Sequence, residues 1–260
     1  MVQQIKEITT KELADWIQQP EGILLDIRPL AAYNGWPLKD EPRGGHIKGA
    51  TAIPFKWAQY IDFKDIMDNK GITPEKTLVI YNYERENTEW LAQKLKGSGF
   101  ENVSVYHKFL EEWSPGQNLP MERLERYRQL VYPEWVHGLI SGEKPLGFEG
   151  NDYVICHSHY GYEQDYHDGH IPGAIPLNTN DLESTETWNR RSPEELEETL
   201  LKHGISHDTT VVVYGRFSHP DNRDPYPGQA AGHLGAIRCA AILMYAGVKD
   251  VKVLNGGLST

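Results

Sequence analysis

Gly44-Gly45-His46-Ile47-Lys48-Gly49-Ala50, closed by Ile53-Pro54, returns later in the chain as Asp168-Gly169-His170-Ile171-Pro172-Gly173-Ala174-Ile175-Pro176. Two further matches follow in the same order. Thr77-Leu78-Val79-Ile80-Tyr81 answers to Thr210-Val211-Val212-Val213-Tyr214, and Gly99-Phe100-Glu101-Asn102-Val103-Ser104-Val105-Tyr106 to Gly247-Val248-Lys249-Asp250-Val251-Lys252-Val253-Leu254. Three ordered matches within 260 residues mark a duplicated domain. A chain of that length accommodates two domains, each burying its own core.

Working outward from the repeats, strands and helices alternate. Ile23-Leu24-Leu25 and Thr77-Leu78-Val79-Ile80-Tyr81 are short apolar runs of the kind that form strands covered on both faces. Behind a threonine N-cap, Leu13, Trp16 and Ile17 recur at helical spacing, and Trp90-Leu91-Ala92-Gln93-Lys94-Leu95 reads as a helix stopping near Gly97 and Gly99. Ser192-Pro193-Glu194-Glu195 is a helix start: a Ser cap, Pro in the first turn, Glu at the third position. This alternation predicts an α/β fold: two tandem domains, each a mainly parallel sheet with helices on both faces. Turn residues cluster over Ser114-Pro115-Gly116-Gln117-Asn118-Leu119-Pro120. The expected division is a first domain over 1–116, a linker over 117–130 and a second domain over 131–260.

Composition excludes several functions. A net charge of −11, with basic residues scattered, opposes binding to a nucleic-acid backbone or an anionic membrane surface. No apolar run is long enough to span a bilayer, and the first residues lack the apolar core of a secretory signal. The two cysteines, Cys156 and Cys239, allow at most one bridge and form no metal-type pair. No pattern calls for a cofactor.

Leu24-Leu25-Asp26-Ile27-Arg28, then Tyr33, then Gly45-His46-Ile47-Lys48-Gly49-Ala50 resembles the opening signature of the rhodanese superfamily, and Val253-Leu254-Asn255-Gly256-Gly257 resembles its closing strand and turn. The second half is most similar to the middle domain of exported bacterial sulfurtransferases built from three rhodanese domains, through Thr209 to Arg216 and Met244 to Val251. The resemblance implies sulfane-sulfur transfer from a small donor such as thiosulfate through a cysteine persulfide. It further implies that the working cysteine belongs to a third, C-terminal rhodanese domain of the same polypeptide. Export with a signal removed follows from the same resemblance; without it the chain reads as cytoplasmic.

That chemistry requires a thiolate in the loop after the central strand, where backbone N–H groups and a helix N-terminus lower its pKa. Aligned on Tyr81, the first repeat places Asn82 there, with Asn87 where the family has an arginine, and Glu84 and Glu86 repelling anions from the loop. Aligned on Tyr214, the second places Gly215 there. It then inserts about fifteen residues, rich in Pro, Asp and Asn over 217–229, before Arg238, the candidate for the loop arginine. Neither Asn82 nor Gly215 can hold a persulfide. Cys239 could serve as a relocated nucleophile or, as its apolar surroundings suggest, as a packed thiol. Cys156, following Val154-Ile155, is placed by this alignment where the first repeat has Asp26, and reads as strand core.

Asp26 and Arg28 are expected to form ion pairs and turn hydrogen bonds. His157, His159, His167 and His170 gather near Asp165 and Asp168 without a tetrahedral ligand spacing, and His219 and His233 read as solvated. Tyr and Trp, spread over both repeats, read as packing residues. Three functions remain open. The chain is the inactive N-terminal domain pair of a sulfurtransferase, continuing past Thr260 into an active domain; or a non-catalytic binding or regulatory module; or an enzyme acting through Cys239.

Overall fold

The computed structural model describes residues 5–18, 22–161, 163–216 and 232–256. The expected surface loop over 217–229, His219, the His233 side chain and the closing Gly257 lie outside them. The chain divides into two units, Met1–Tyr127 and Arg128–Thr260.

Unit 1 runs β1 (Lys6–Glu7), α1 (Thr10–Trp16), β2 (Gly22–Asp26), α2 (Leu30–Asn34), β3 (His46–Ile47), β4 (Thr51–Ala52), α3 (Phe63–Asn69), β5 (Thr77–Tyr81), α4 (Arg85–Gly97), β6 (Val103–Tyr106) and β7 (Met121–Glu122). Unit 2 runs β8 (Leu130–Val131), α5 (Pro133–Ile140), β9 (Tyr153–His159), α6 (Gln164–Asp168), β10 (Ile175–Asn178), α7 (Thr179–Leu182), α8 (Pro193–Lys202), β11 (Thr210–Gly215), α9 (Gly232–Tyr245) and β12 (Asp250–Leu254). The sheets, β1-β6-β5-β2-β4 and β8-β12-β11-β9-β10, repeat one strand order, and every pairing within them is parallel. The predicted α/β fold with mainly parallel sheets is the one observed.

The local signals act as read. Thr9 caps α1 with a reciprocal bond to Glu12, and Ser192 caps α8 with Glu195, with Pro193 in the first turn. Strand alternation then sorts side chains between two faces. In β5, Leu78 and Ile80 join the core beneath α3 and α4, whereas Val79 and Tyr81 join the opposite core with Leu13, Phe109 and Trp113. Burying each of these aliphatic side chains contributes roughly 2 kcal/mol. Gly49 and Gly173 both stand at φ +80, the left-handed turn that brings each repeated motif into its next strand.

The end of unit 1 is tied to its middle. The Arg43 guanidinium donates to four carbonyls, those of Trp113 (2.8 Å), Ser114 (2.8 Å), Gly116 (2.6 Å) and Leu119 (3.0 Å). β7 then pairs antiparallel with β3. No helix among the described residues is long and apolar enough to cross a membrane.

Candidate functional site

In parallel α/β sheets ligands are met beyond the carboxyl ends of the strands. At that end of unit 1, Asp26 closes β2 beside Tyr81 of β5. Arg28, fully buried, donates from Nε to Asp26 Oδ1 (3.0 Å) and from Nη2 to Asp26 Oδ2 (2.7 Å) and the Gly45 carbonyl (2.7 Å). Its Nη1 reaches Glu41 and the Tyr83 hydroxyl, both at 3.3 Å, and its guanidinium lies 4.0 Å from the centre of the Phe109 ring. Tyr81 donates to Asp26 Oδ2 (2.6 Å) and accepts from Ile47 N (3.1 Å). Burial pushes the Glu41 carboxyl up to about 7 against the pull of Arg28, and Tyr83 donates to it. The expected ion pair is therefore the centre of a closed polar network.

Asn82, at the nucleophile position, is buried, and its Oδ1 accepts from Tyr83 N (2.8 Å). Glu84 stands at the start of α4, paired with Lys39 at 3.3 Å. The Tyr83 hydroxyl is engaged by both Glu41 and Arg28. Nothing in this loop can carry sulfur.

Unit 2 repeats the scaffold and changes the chemistry. Ile171 N donates to the Tyr214 hydroxyl (2.9 Å) as Ile47 N does to Tyr81. Tyr166 donates to the Ala174 carbonyl and stacks on His170, as Tyr33 does to Ala50 and on His46. The register, however, pairs Tyr214 with His157 and Val213 with Cys156. His157, not Cys156, stands where unit 1 has Asp26, so the sequence alignment was one residue out. Cys156 faces the opposite core, and His159 falls at the place of Arg28.

His157 stacks on Tyr214 with centroids 4.9 Å apart, and its Nε2 lies 3.9 Å from Asp165 Oδ2. His157 and His159 are buried, and none of their four ring nitrogens has a hydrogen-bond partner. Burial, then the neighbouring His159 and His170, push His157 down to about 4, while burial raises Asp165. His167 lies apart, exposed and 3.6 Å from Glu163. Among the described residues no three His, Cys, Asp or Glu side chains are arranged to hold a metal ion.

Gly215 ends β11 opposite Ser158 and offers no side chain. Arg238 is turned to the connection after α7: its Nε donates to Glu183 (3.0 Å) and its Nη2 to the Trp188 carbonyl (3.1 Å). Both thiols are free and buried in one apolar cluster with Val211, Val213 and Leu243. Burial pushes Cys156 up to about 12 and raises Cys239 as well. Such thiols are neutral at physiological pH and out of reach of a donor. Glu41, Tyr83 and Phe109 entered the site unannounced by any motif; only their contacts with Arg28 reveal them.

A repeated parallel sheet with a turn signature closing on a central-strand tyrosine defines a duplicated domain of the kind that carries a reactive loop at the sheet's carboxyl end. The rhodanese-like domain model matches residues 9–115 and again 160–260. The chain belongs to the rhodanese-like family. It is 50% identical, with a TM-score of 0.92, to the anaerobic ergothioneine biosynthesis enzyme of Chlorobium limicola, solved with its natural substrate trimethyl histidine; the match covers 98% of this chain and 60% of that one. A structure of EanB as a cysteine persulfide with ergothioneine matches at 50% identity and a TM-score of 0.91, over 97% of this chain and 60% of that one. Thiosulfate sulfurtransferase YnjE of Escherichia coli is 33% identical over 95% of this chain and 52% of its own length. The chain thus spans roughly half to three-fifths of these relatives.

Proposed function

We propose that this chain is the non-catalytic domain pair of a sulfurtransferase that works through a cysteine persulfide held in a further domain, with a trimethylated histidine as the sulfur acceptor. The carrying observation is the 50% identity, across 98% of the chain, to an enzyme of ergothioneine biosynthesis. The geometry fits. Asn82 and Gly215 have no thiol, and both cysteines are buried with raised pKa values. The two units then serve as scaffold, presenting surfaces against which the reacting domain is held. A second reading, thiosulfate as donor with a thiophile other than histidine as acceptor, rests on the 33% identity to the Escherichia coli thiosulfate sulfurtransferase.

The test compares this chain with the polypeptide encoded by its complete gene. Each is given a sulfane-sulfur donor and trimethylhistidine, and ergothioneine is read by mass spectrometry. The expected result is product from the complete polypeptide and none from the 260-residue chain. Product from the chain alone would reject the non-catalytic assignment. Transfer to cyanide but not to trimethylhistidine would select the second reading.

A further inference from the structure

Helices α4 and α9 are counterparts: each follows the central strand of its sheet and leads into the next strand. Their inner faces do the same work, burying Leu91, Ala92 and Leu95 in one and Ala236, Cys239, Ala240 and Leu243 in the other. Their outer faces differ. α4 turns Arg85, Glu86, Glu89 and Lys96 outward, with Arg85 held by Glu7 and Glu89. Trp90 breaks that face but packs edge-on against Phe55.

Across its fourteen residues α9 has one formal charge, Arg238, and Glu183 takes it up. Among the described side chains the rest of its outer face is apolar: Leu234 is 62% exposed, Ile237 51% and Tyr245 54%, with Ala241 and Met244 between them. Beside it Leu201 of α8 is 72% exposed. A groove of about 620 Å³ runs between the two helices, lined by Leu200, Leu201, Tyr245 and Val248 together with the polar Glu197 and His207. A contiguous exposed apolar stripe of this kind marks a surface that another polypeptide covers. The shared fold does not require this face, since α4 does without one.

We propose that the outer face of α9, with Leu201, is the surface on which the polypeptide beyond these two units packs. This rests on the reading of the chain as part of a longer sulfurtransferase, and the match to only 60% of the solved relative supplies the occupant. The connection is direct. Because α9 joins the parallel strands β11 and β12, it runs against them, and its first turn, with Leu234, lies at the end where β12 finishes. β12 therefore finishes at the same end of the sheet at which the exposed stripe begins. At the rim the Arg190 guanidinium lies 3.9 Å from the centre of the Tyr245 ring, so the fitting partner face is apolar with an acidic margin.

Hydroxyl-radical footprinting of the 260-residue chain and of the complete polypeptide tests this. Labelling of Leu201, Met244 and Tyr245 should fall at least fivefold in the complete polypeptide, while Trp90 on α4 stays unchanged. In that polypeptide Ile237→Glu should restore the labelling; in the shorter chain, where the position faces water, it should leave the circular dichroism unaltered. Equal labelling in both proteins overturns the proposal, as does a gene that ends at Thr260. Protection already present in a shorter chain that scatters light as a dimer also overturns it, and gives the face to a second copy. Protection without ergothioneine formation sinks only the acceptor assignment; product formation with an unprotected face sinks only this one.

Discussion

Acidification should loosen unit 2 through a single side chain. His157 is buried against Tyr214, faces Tyr166, His159, His170 and Asp165, and has no hydrogen-bond partner at either nitrogen. In the unfolded chain an imidazole titrates near 6.5; in the fold this one is held down to about 4. The folded state therefore prefers the neutral ring. Its contribution is complete above about pH 6.5 and is lost as the pH falls through 4, reaching a loss of about 3 kcal/mol at pH 4. Asp165, raised by burial, works in the opposite sense and softens the slope. Hydrogen exchange in β9 and β11, followed between pH 7 and pH 4, reads unit 2 separately. His157→Phe keeps the stacking and removes the titration, so its profile should be flatter than the parent's by about 2 kcal/mol or more over that interval. Parallel profiles for the two proteins would refute the reasoning, because they would mean that the imidazole finds a proton-sharing partner in the fold.

Other expectations follow from contacts of the same kind. Arg28→Met leaves Asp26 and Glu41 buried without their cation and should destabilise unit 1 by about 3–5 kcal/mol in urea unfolding, with the loss shrinking at low pH. Tyr81→Phe strands Ile47 N and takes one donor from Asp26, which Arg28 still holds, whereas Tyr214→Phe strands only Ile171 N; thermal unfolding should show a cost of about 2 kcal/mol for the first and about 1 kcal/mol for the second. Cys156 and Cys239 should resist a thiol reagent in the native chain and both react on denaturation; rapid native labelling of Cys239 would revive it as a nucleophile.

The fold was legible because its signals are local: a seven-residue turn motif repeated once, two capping boxes, and apolar runs at strand length. The site was less so. Cys156 was set against Asp26 because the alignment leaned on the apolar run Val154-Ile155, yet β9 continues to His159 and carries polar residues inward at its end. In a strand a slip of one residue exchanges the two faces. Glu41, Tyr83 and Phe109 meet Arg28 across 13, 55 and about 80 positions of chain, and no spacing rule reaches that far. The same holds for Arg238, whose commitment to Glu183 spans 55 positions.

The Arg43 latch has a consequence for synthesis. Its four carbonyl partners lie between Trp113 and Leu119, and β3 waits for Met121 and Glu122. While the ribosome still holds those residues, the nascent first half has its sheet strands but no seal, and its arginine has only water to bind. Emergence of the 113–122 segment thus completes the contacts of the first half, by which time β8 has already been translated.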